Sequence, residues 1–263
     1  MRTHTIDGLH VEVSGPDDGT PVVFGHSLLC DGRMWQPQVA ELARDRRCVV
    51  LDLRGHGRSP AAPRGFTMAD QGEDYTKVMD ALGIQRAILV GLSMGAMAAM
   101  HFAARHPSRV AGLAFFNTSA DRQLGRPRLI ALGALARLVG MRPFLRKQAL
   151  AEMFGPTFRR AHPEIVKVFD ERFAALDVPG ATRALTMVVD RPAALDLLPG
   201  IGAPTMIVAG EEDKATPPWL GRRILERMPH AEWHLLPCGH LSAVERPDEV
   251  SALLRSFVTR VSG

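Results

Sequence analysis

A serine, a histidine and a carboxylate can together make a nucleophile at neutral pH, and this 263-residue chain offers one of each: Ser93, Asp213 and His240. A hydroxyl alone attacks poorly until a base takes its proton, and the base needs an acid to fix its tautomer. Ser93 stands between Gly91 and Gly95 in "LVGLSMGAMAAM", where an aliphatic run gives way to a small-residue helical run. A serine at a sharp strand-to-helix turn needs tiny residues two before and two after it, because the chain nearly touches itself there. Gly-x-Ser-x-Gly alone arises by chance in roughly one chain of this length in ten. The flanking strand and helix, and the partners downstream, therefore carry the reading.

Those partners follow in the order such an elbow uses, serine, then acid, then histidine. Glu211, Glu212 and Asp213 come directly after "PTMIVAG", and His240 comes after "EWHLLPCG". Both positions follow expected parallel strands, at the same sheet edge as Ser93. Asp213 is read as the acid. Asp121, after "FFNTSA", is the rival at the preceding strand end, and Glu211 and Glu212 are read as solvated loop acids. Of ten histidines, His240 alone sits between the last strand and the last helix. His26 and His56, in loops after strands, are expected near the site; His4, His10, His101, His106, His162, His230 and His234 are expected to be structural or exposed. Acyl transfer also needs two N–H donors for an oxyanion. One is expected from Met94, directly after the serine, and the other from Leu28 in "HSLLCDGRMW".

The elements needed to place these groups are visible as runs. "THTI" and "LHVEV" flank Asp7-Gly8, a type I′ hairpin signal. Six further runs, "PVVFGH", "RCVVLD", "AILVG", "VAGLAFFN", "PTMIVAG" and "EWHLLP", are short, aliphatic and without alternation, as strands buried on both faces of a parallel sheet should be. Helical patterns separate them. One opens at Thr67 with Asp70 three residues on and closes at Gly83; another runs from Pro247 to Val261. The expectation is an α/β architecture, a mostly parallel eight-stranded sheet flanked by helices. Residues 121–190 break the alternation with helices punctuated by Pro127, Pro143, Pro156, Pro163 and Pro179. They are expected to form a helical cap over a core made of residues 1–120 and 191–263.

Composition bounds the rest. Hydrophobic content of 46% and charged content of 23% are ordinary for a globular protein, and a net charge of +4 is too small to suggest nucleic acid. Three cysteines without C-x-x-C spacing, Cys30, Cys48 and Cys238, give neither a disulfide scaffold nor a zinc site and suit a reducing cytoplasm. The N-terminus has no apolar signal region, and "LIALGALARLVGM", interrupted by Arg137, is too short to span a bilayer. The chemistry needs no metal or organic cofactor.

Taken together, "GHSLLCDGRMW", "DLRGHGRS", "GLSMGA", "GEED" and "GHLSAVERPDEV" resemble the α/β-hydrolase superfamily over nearly the whole chain outside the expected cap. Within it the chain is most similar to the 3-oxoadipate enol-lactonase branch, where a serine such as Ser27 is usual after the oxyanion-loop histidine. His26 departs from the asparagine of that branch, and Ala96 from its second glycine. The resemblance implies an α/β-hydrolase fold, with Ser93 as nucleophile, Asp213 as acid, His240 as base and "DLRGHGRS" as a structural turn beside the pocket.

The expected function is hydrolysis of a carboxylic ester or lactone through an acyl-enzyme. Carbon–carbon bond hydrolysis and peracid formation use the same machinery and stay open, as does a small-molecule receptor on this fold. Dehalogenases and epoxide hydrolases are disfavoured, because they place an aspartate where Ser93 stands. Residues 122–191 carry eleven Arg and two Lys against three Asp and three Glu. A lid that basic would suit a carboxylate-bearing lactone, or would simply be a solvated surface. The pattern names neither the acyl group nor an oligomeric state.

Overall fold

Asp7 and Gly8 both take positive φ, 50° and 79°, the requirement of a type I′ turn. They fold β1 (Arg2–Ile6) back on β2 (Leu9–Ser14) as an antiparallel hairpin. The computed structural model describes residues 1–262. After the hairpin, strands and helices alternate: β3 (Val22–Gly25), α1 (Gln36–Leu42), β4 (Cys48–Leu51), α2 (Met68–Ala81), β5 (Ala87–Leu92), α3 (Met94–Arg105) and β6 (Val110–Phe116). Five helices follow without a strand among the described residues: α4 (Arg126–Val139), α5 (Pro143–Met153), α6 (Pro156–Ala161), α7 (Pro163–Ala174) and α8 (Val178–Asp190). The chain then returns to the sheet with β7 (Thr205–Gly210), α9 (Pro218–Arg227) and β8 (Glu232–Leu236), and ends with α10 (Ser242–Glu245) and α11 (Pro247–Ser262).

One eight-stranded sheet results, in the order β1-β2-β4-β3-β5-β6-β7-β8. Only the two pairings of β2 are antiparallel. Every residue of β3 to β7 is buried, as unalternating aliphatic runs require. β8 departs from that expectation: it is the outer strand, paired only with β7, and Leu235 is 40% exposed. Two apolar layers cover the sheet. Val78, Met79, Met100 and Phe102 belong to the layer that holds Leu89 and Leu113; Trp35, Leu42, Leu254 and Phe257 belong to the one that holds Ile88 and Ala114. Each such fully buried large side chain contributes about 1.5–3 kcal/mol.

Local signals set the helix ends. The Thr67 hydroxyl accepts from the Asp70 N–H and Asp70 accepts from the Thr67 N–H, closing a capping box on α2, while Gly83 follows the helix at φ 67°. In the insertion, Pro127, Pro143, Pro156, Pro163 and Pro179 each stand in the first turn of a helix, where proline's missing N–H costs nothing. The prolines that break the sequence pattern are thus helix starts. α4 packs along α8, and α5 along α7. No described helix is long and apolar enough to cross a membrane.

Candidate active site

β5 ends at Leu92 and α3 begins at Met94, so Ser93 alone makes the turn between them. Its backbone sits at φ 52°, ψ −110°, a region that L-residues avoid at a cost of about 1–3 kcal/mol. Neighbouring strands hold it there: its N–H donates to Phe116 O at 2.9 Å, and Thr118 Oγ1 donates to its carbonyl at 3.0 Å. Crowding explains the glycines. A Cβ on Gly91 would enter the Ala96 backbone, and one on Gly95 would enter the backbone of Gly25 at the end of β3. The Ser93 hydroxyl has no hydrogen-bond partner among the described residues, and Ser93 lines a cavity that His240 also lines.

His240 lies in the loop after β8, and Asp213 in the loop after β7. Asp213 Oδ2 and Oδ1 are 2.9 and 3.1 Å from His240 Nδ1. An ionised carboxylate only accepts, so Nδ1 carries a proton and Nε2 is the ring nitrogen left to take one up or give one off. Burial opposes the charge on Asp213. The neighbouring His240 charge, the hydrogen bond from His240, the Thr216 N–H and the Asn117 amide outweigh it and hold the carboxyl below its ordinary range. Thr216 Oγ1 adds a fourth donor at 2.8 Å.

Asn117 and Thr216 were not singled out from sequence. Asn117 caps β6 at φ 44° and its Nδ2 donates to both Asp213 Oδ2 and Gly239 O at 3.0 Å, tying acid to histidine loop. Its one sequence signal is the tolerance of asparagine for left-handed backbone at a strand end. Thr216 closes a turn over Asp213, three residues on, a pattern any Asp-x-x-Thr can make. The rival acid Asp121 faces away, with Oδ1 2.5 Å from Arg223 of α9. Glu211 is exposed as expected, but Glu212 is not simply solvated: it accepts from the Thr157 N–H at 3.0 Å and from its hydroxyl, at the start of α6.

Leu28 lies in the loop after β3 and Met94 opens α3, whose N-terminal N–H groups carry partial positive charge. Neither of these two N–H groups donates a hydrogen bond among the described residues. His26 and His56 brace the Leu28 loop. His26 Nε2 accepts from the Leu53 N–H and its Nδ1 donates to Ser27 O, both at 2.8 Å. His56 Nε2 accepts from the Leu29 N–H and its Nδ1 donates to Arg54 O, both at 3.1 Å. The rings meet edge to face with centroids 5.1 Å apart. Burial, then the like charge of His26, drives the His56 pKa down to about 3, and burial lowers that of His26. Asp52 completes the brace, accepting from the Gly32 and Arg58 N–H groups at 2.9 Å. The stretch "DLRGHGRS" is therefore the buttress of the loop that carries Leu28.

The cavity over Ser93 measures about 340 Å³. The insertion supplies most of its wall, with Leu129, Leu132, Leu145, Val178 and Leu185. Its charged lining is Arg128, Glu152 and Lys214, and Arg128 pairs with Glu152 at 2.9 Å. Among the described residues no cluster of His, Cys, Asp and Glu could hold a metal ion, and the three cysteines are buried and unpaired.

Comparison with known proteins agrees with this fold. The sequence profile of the alpha/beta hydrolase fold matches residues 20–247. A 3-oxoadipate enol-lactonase of Acinetobacter baylyi is 28% identical over 96% of this chain and 94% of its own length. The crystal structure of an enol-lactonase from Burkholderia xenovorans superposes with a TM-score of 0.91 at 29% identity, covering 98% of this chain and 100% of that one. A thermophilic esterase from Thermogutta terrifontis does so with a TM-score of 0.91 at 27% identity, covering 100% and 99%. The chain belongs to the α/β-hydrolase fold family.

Proposed function

We propose that this protein hydrolyses uncharged carboxylic esters or lactones through an acyl-enzyme on Ser93. The observation that carries the reading is His240, its Nδ1 fixed by Asp213, lining the same apolar cavity as a strained serine whose hydroxyl is unpartnered. His240 Nε2 takes the Ser93 proton as Oγ attacks the substrate carbonyl. The Leu28 and Met94 N–H groups hold the oxyanion, the free donors such a site requires. His240 then gives its proton to the leaving alkoxide. Water repeats the cycle: it loses a proton to His240, attacks the acyl carbon and releases the acid, and Ser93 regains its hydrogen. Asp213 stays ionised throughout and stabilises the imidazolium.

The insertion acts as the cap and selects the substrate. Of the eleven arginines in residues 122–191, Arg128 alone lines the cavity, and Glu152 pairs with it. That argues against a cap arginine holding a substrate carboxylate and leaves Lys214, after β7, as the lining's cation without a carboxylate partner among the described residues, although relatives of this chain include enol-lactonases. Leucines over the serine favour an apolar acyl or alcohol group.

A panel of p-nitrophenyl esters of graded acyl length, run beside neutral and carboxylated lactones, tests the reading. Turnover is expected for neutral medium-chain substrates, and Ser93→Ala is expected to lower kcat by several orders of magnitude in a folded protein. A Ser93→Ala enzyme keeping more than about a tenth of wild-type turnover, or a preference for the carboxylated lactone, would overturn it.

A further inference from the structure

The arginine excess of the insertion is gathered away from the Ser93 cavity. A second cavity, of about 410 Å³, lies between the loop of residues 62–68 and the α4–α8 pair. Arg64, Arg137, Arg183 and Arg191 line it against one carboxylate, Asp190, and it shares no lining residue with the Ser93 cavity. The acids near it are committed elsewhere: Asp190 to Arg126 at 2.8 Å, and Asp121, whose charge reaches Arg191, to Arg223.

Arg191 sets this cavity apart from a solvated basic surface. It is 6% exposed, yet both hydrogen bonds of its Nη1 go to neutral acceptors, Gln123 Oε1 and Val188 O, each at 2.6 Å. Its Nε and Nη2 make none among the described residues. Burial pushes the guanidinium pKa down to about 10, with Asp121 only partly opposing. A bond to Val188 O caps the end of α8, but that role uses Nη1 and leaves the rest of the guanidinium fork without an acceptor. Asp121 lies close enough for its charge to act on the guanidinium but makes no hydrogen bond to it, so an anion in the cavity would relieve much of the cost of burial. Arg183 likewise donates only to a neutral carbonyl, Ala62 O at 3.2 Å.

We propose that this cavity binds a small dianion whose charge lies on carboxylate or phosphate oxygens, at a site separate from the Ser93 centre. Planar guanidinium forks match such oxygens in pairs, and here they converge from a loop, α4 and α8. Phe66 and Met187 give the site an apolar wall, where charge pairing is stronger than in open water.

Isothermal titration of the whole protein at fixed ionic strength tests this, with inorganic phosphate and succinate in separate runs. A saturable single-site isotherm is expected from at least one, and the tighter of the two identifies the oxygen geometry preferred. The double variant R137Q/R183Q changes two exposed side chains, so it should fold and hydrolyse a neutral ester normally while binding the anion at least about tenfold more weakly. S93A should bind it as the wild type does. Absence of saturable heat for both anions up to about 10 mM overturns the proposal. So does an unchanged affinity in R137Q/R183Q, or a lost one in S93A. Because these readouts are binding heats, they stand whatever the ester panel returns.

Discussion

Acidification should weaken the brace beneath the Leu28 loop before it touches the carboxylates, and His56 sets the size of the effect. Its pKa in the fold is about 3, against roughly 6.5 in the unfolded chain. Between those values the unfolded chain binds a proton that the folded one refuses, so stability is full above pH 6.5 and is lost as the pH falls toward 3. At pH 5 the unfolded state gains about 2 kcal/mol from this one ring, and the loss levels off near 5 kcal/mol below pH 3. Carboxylates held low in the fold, such as Asp213, add their losses mainly below pH 5, so the window from pH 7 to 5 largely spares them.

The perturbation is His56→Gln, which removes the titration and keeps a side-chain acceptor within reach of the Leu29 N–H. Urea unfolding at pH 7, 6 and 5 and constant ionic strength gives the free energies, provided the slope m stays constant along the series. Wild type should lose about 2 kcal/mol more than His56→Gln between pH 7 and 5. His101, lowered by burial, and Glu245, raised by burial against its backbone donors, titrate in both proteins and cancel in the comparison, whereas His26 touches His56 and its response is read in the same difference. Parallel curves, agreeing within about 0.5 kcal/mol at every pH, would show that His56 is not held neutral by the fold and would refute the reasoning.

Two further outcomes separate the site from its surroundings. Asp213→Asn should lower kcat by about 10³–10⁴ because His240 loses the acceptor that fixes its tautomer, whereas Asp121→Asn, freed only from Arg223, should change kcat less than about twofold; the reverse ranking would move the acid to the end of β6. Gly95→Ala should lower the melting temperature by about 5–10 °C, since its Cβ meets the Gly25 backbone rather than a movable side chain; a variant melting with the wild type would mean that the elbow is looser than its contacts imply.

Much of this was legible in the sequence because it depends on local chemistry. Strands β3 to β7 read as aliphatic runs, the hairpin as Asp7-Gly8, and α2 as a capping box with a glycine stop, since each signal lies within a few residues of what it controls. Ser93, Asp213 and His240 could be placed at one edge because parallel strands all end on the same side. Whatever depends on distant neighbours did not show. Nothing in "EWHLLP" marks β8 as the outer strand, and nothing in the β3 or β4 runs says that they exchange places in the sheet order. The directions of the insertion's arginines were equally hidden. Arg128 turns to Glu152 inside the Ser93 cavity, while Arg137, Arg183 and Arg191 turn to the far side of the α4–α8 pair.

The support around the site has a physical logic that neither list of residues reveals by itself. Four non-glycine residues hold positive φ, and apart from the hairpin's Asp7 they are Leu29, Ser93 and Asn117. These three follow β3, β5 and β6, neighbours in the middle of the sheet, and each bears on the proposed chemistry: Leu29 next to the expected oxyanion donor, Ser93 as the proposed nucleophile, Asn117 as the clamp on Asp213. Strained backbone persists only where its surroundings over-determine it. Here the surroundings are strands buried at every position, bonded through Ser93 N–H to Phe116 O and Asn117 N–H to Val208 O, so relaxing one turn would disturb its neighbour. A centre held this stiffly leaves little room for substrate choice at the strand ends. On the proposed mechanism that choice would fall to the helices between β6 and β7, which supply most of the cavity wall without contributing any of the residues proposed to do the chemistry.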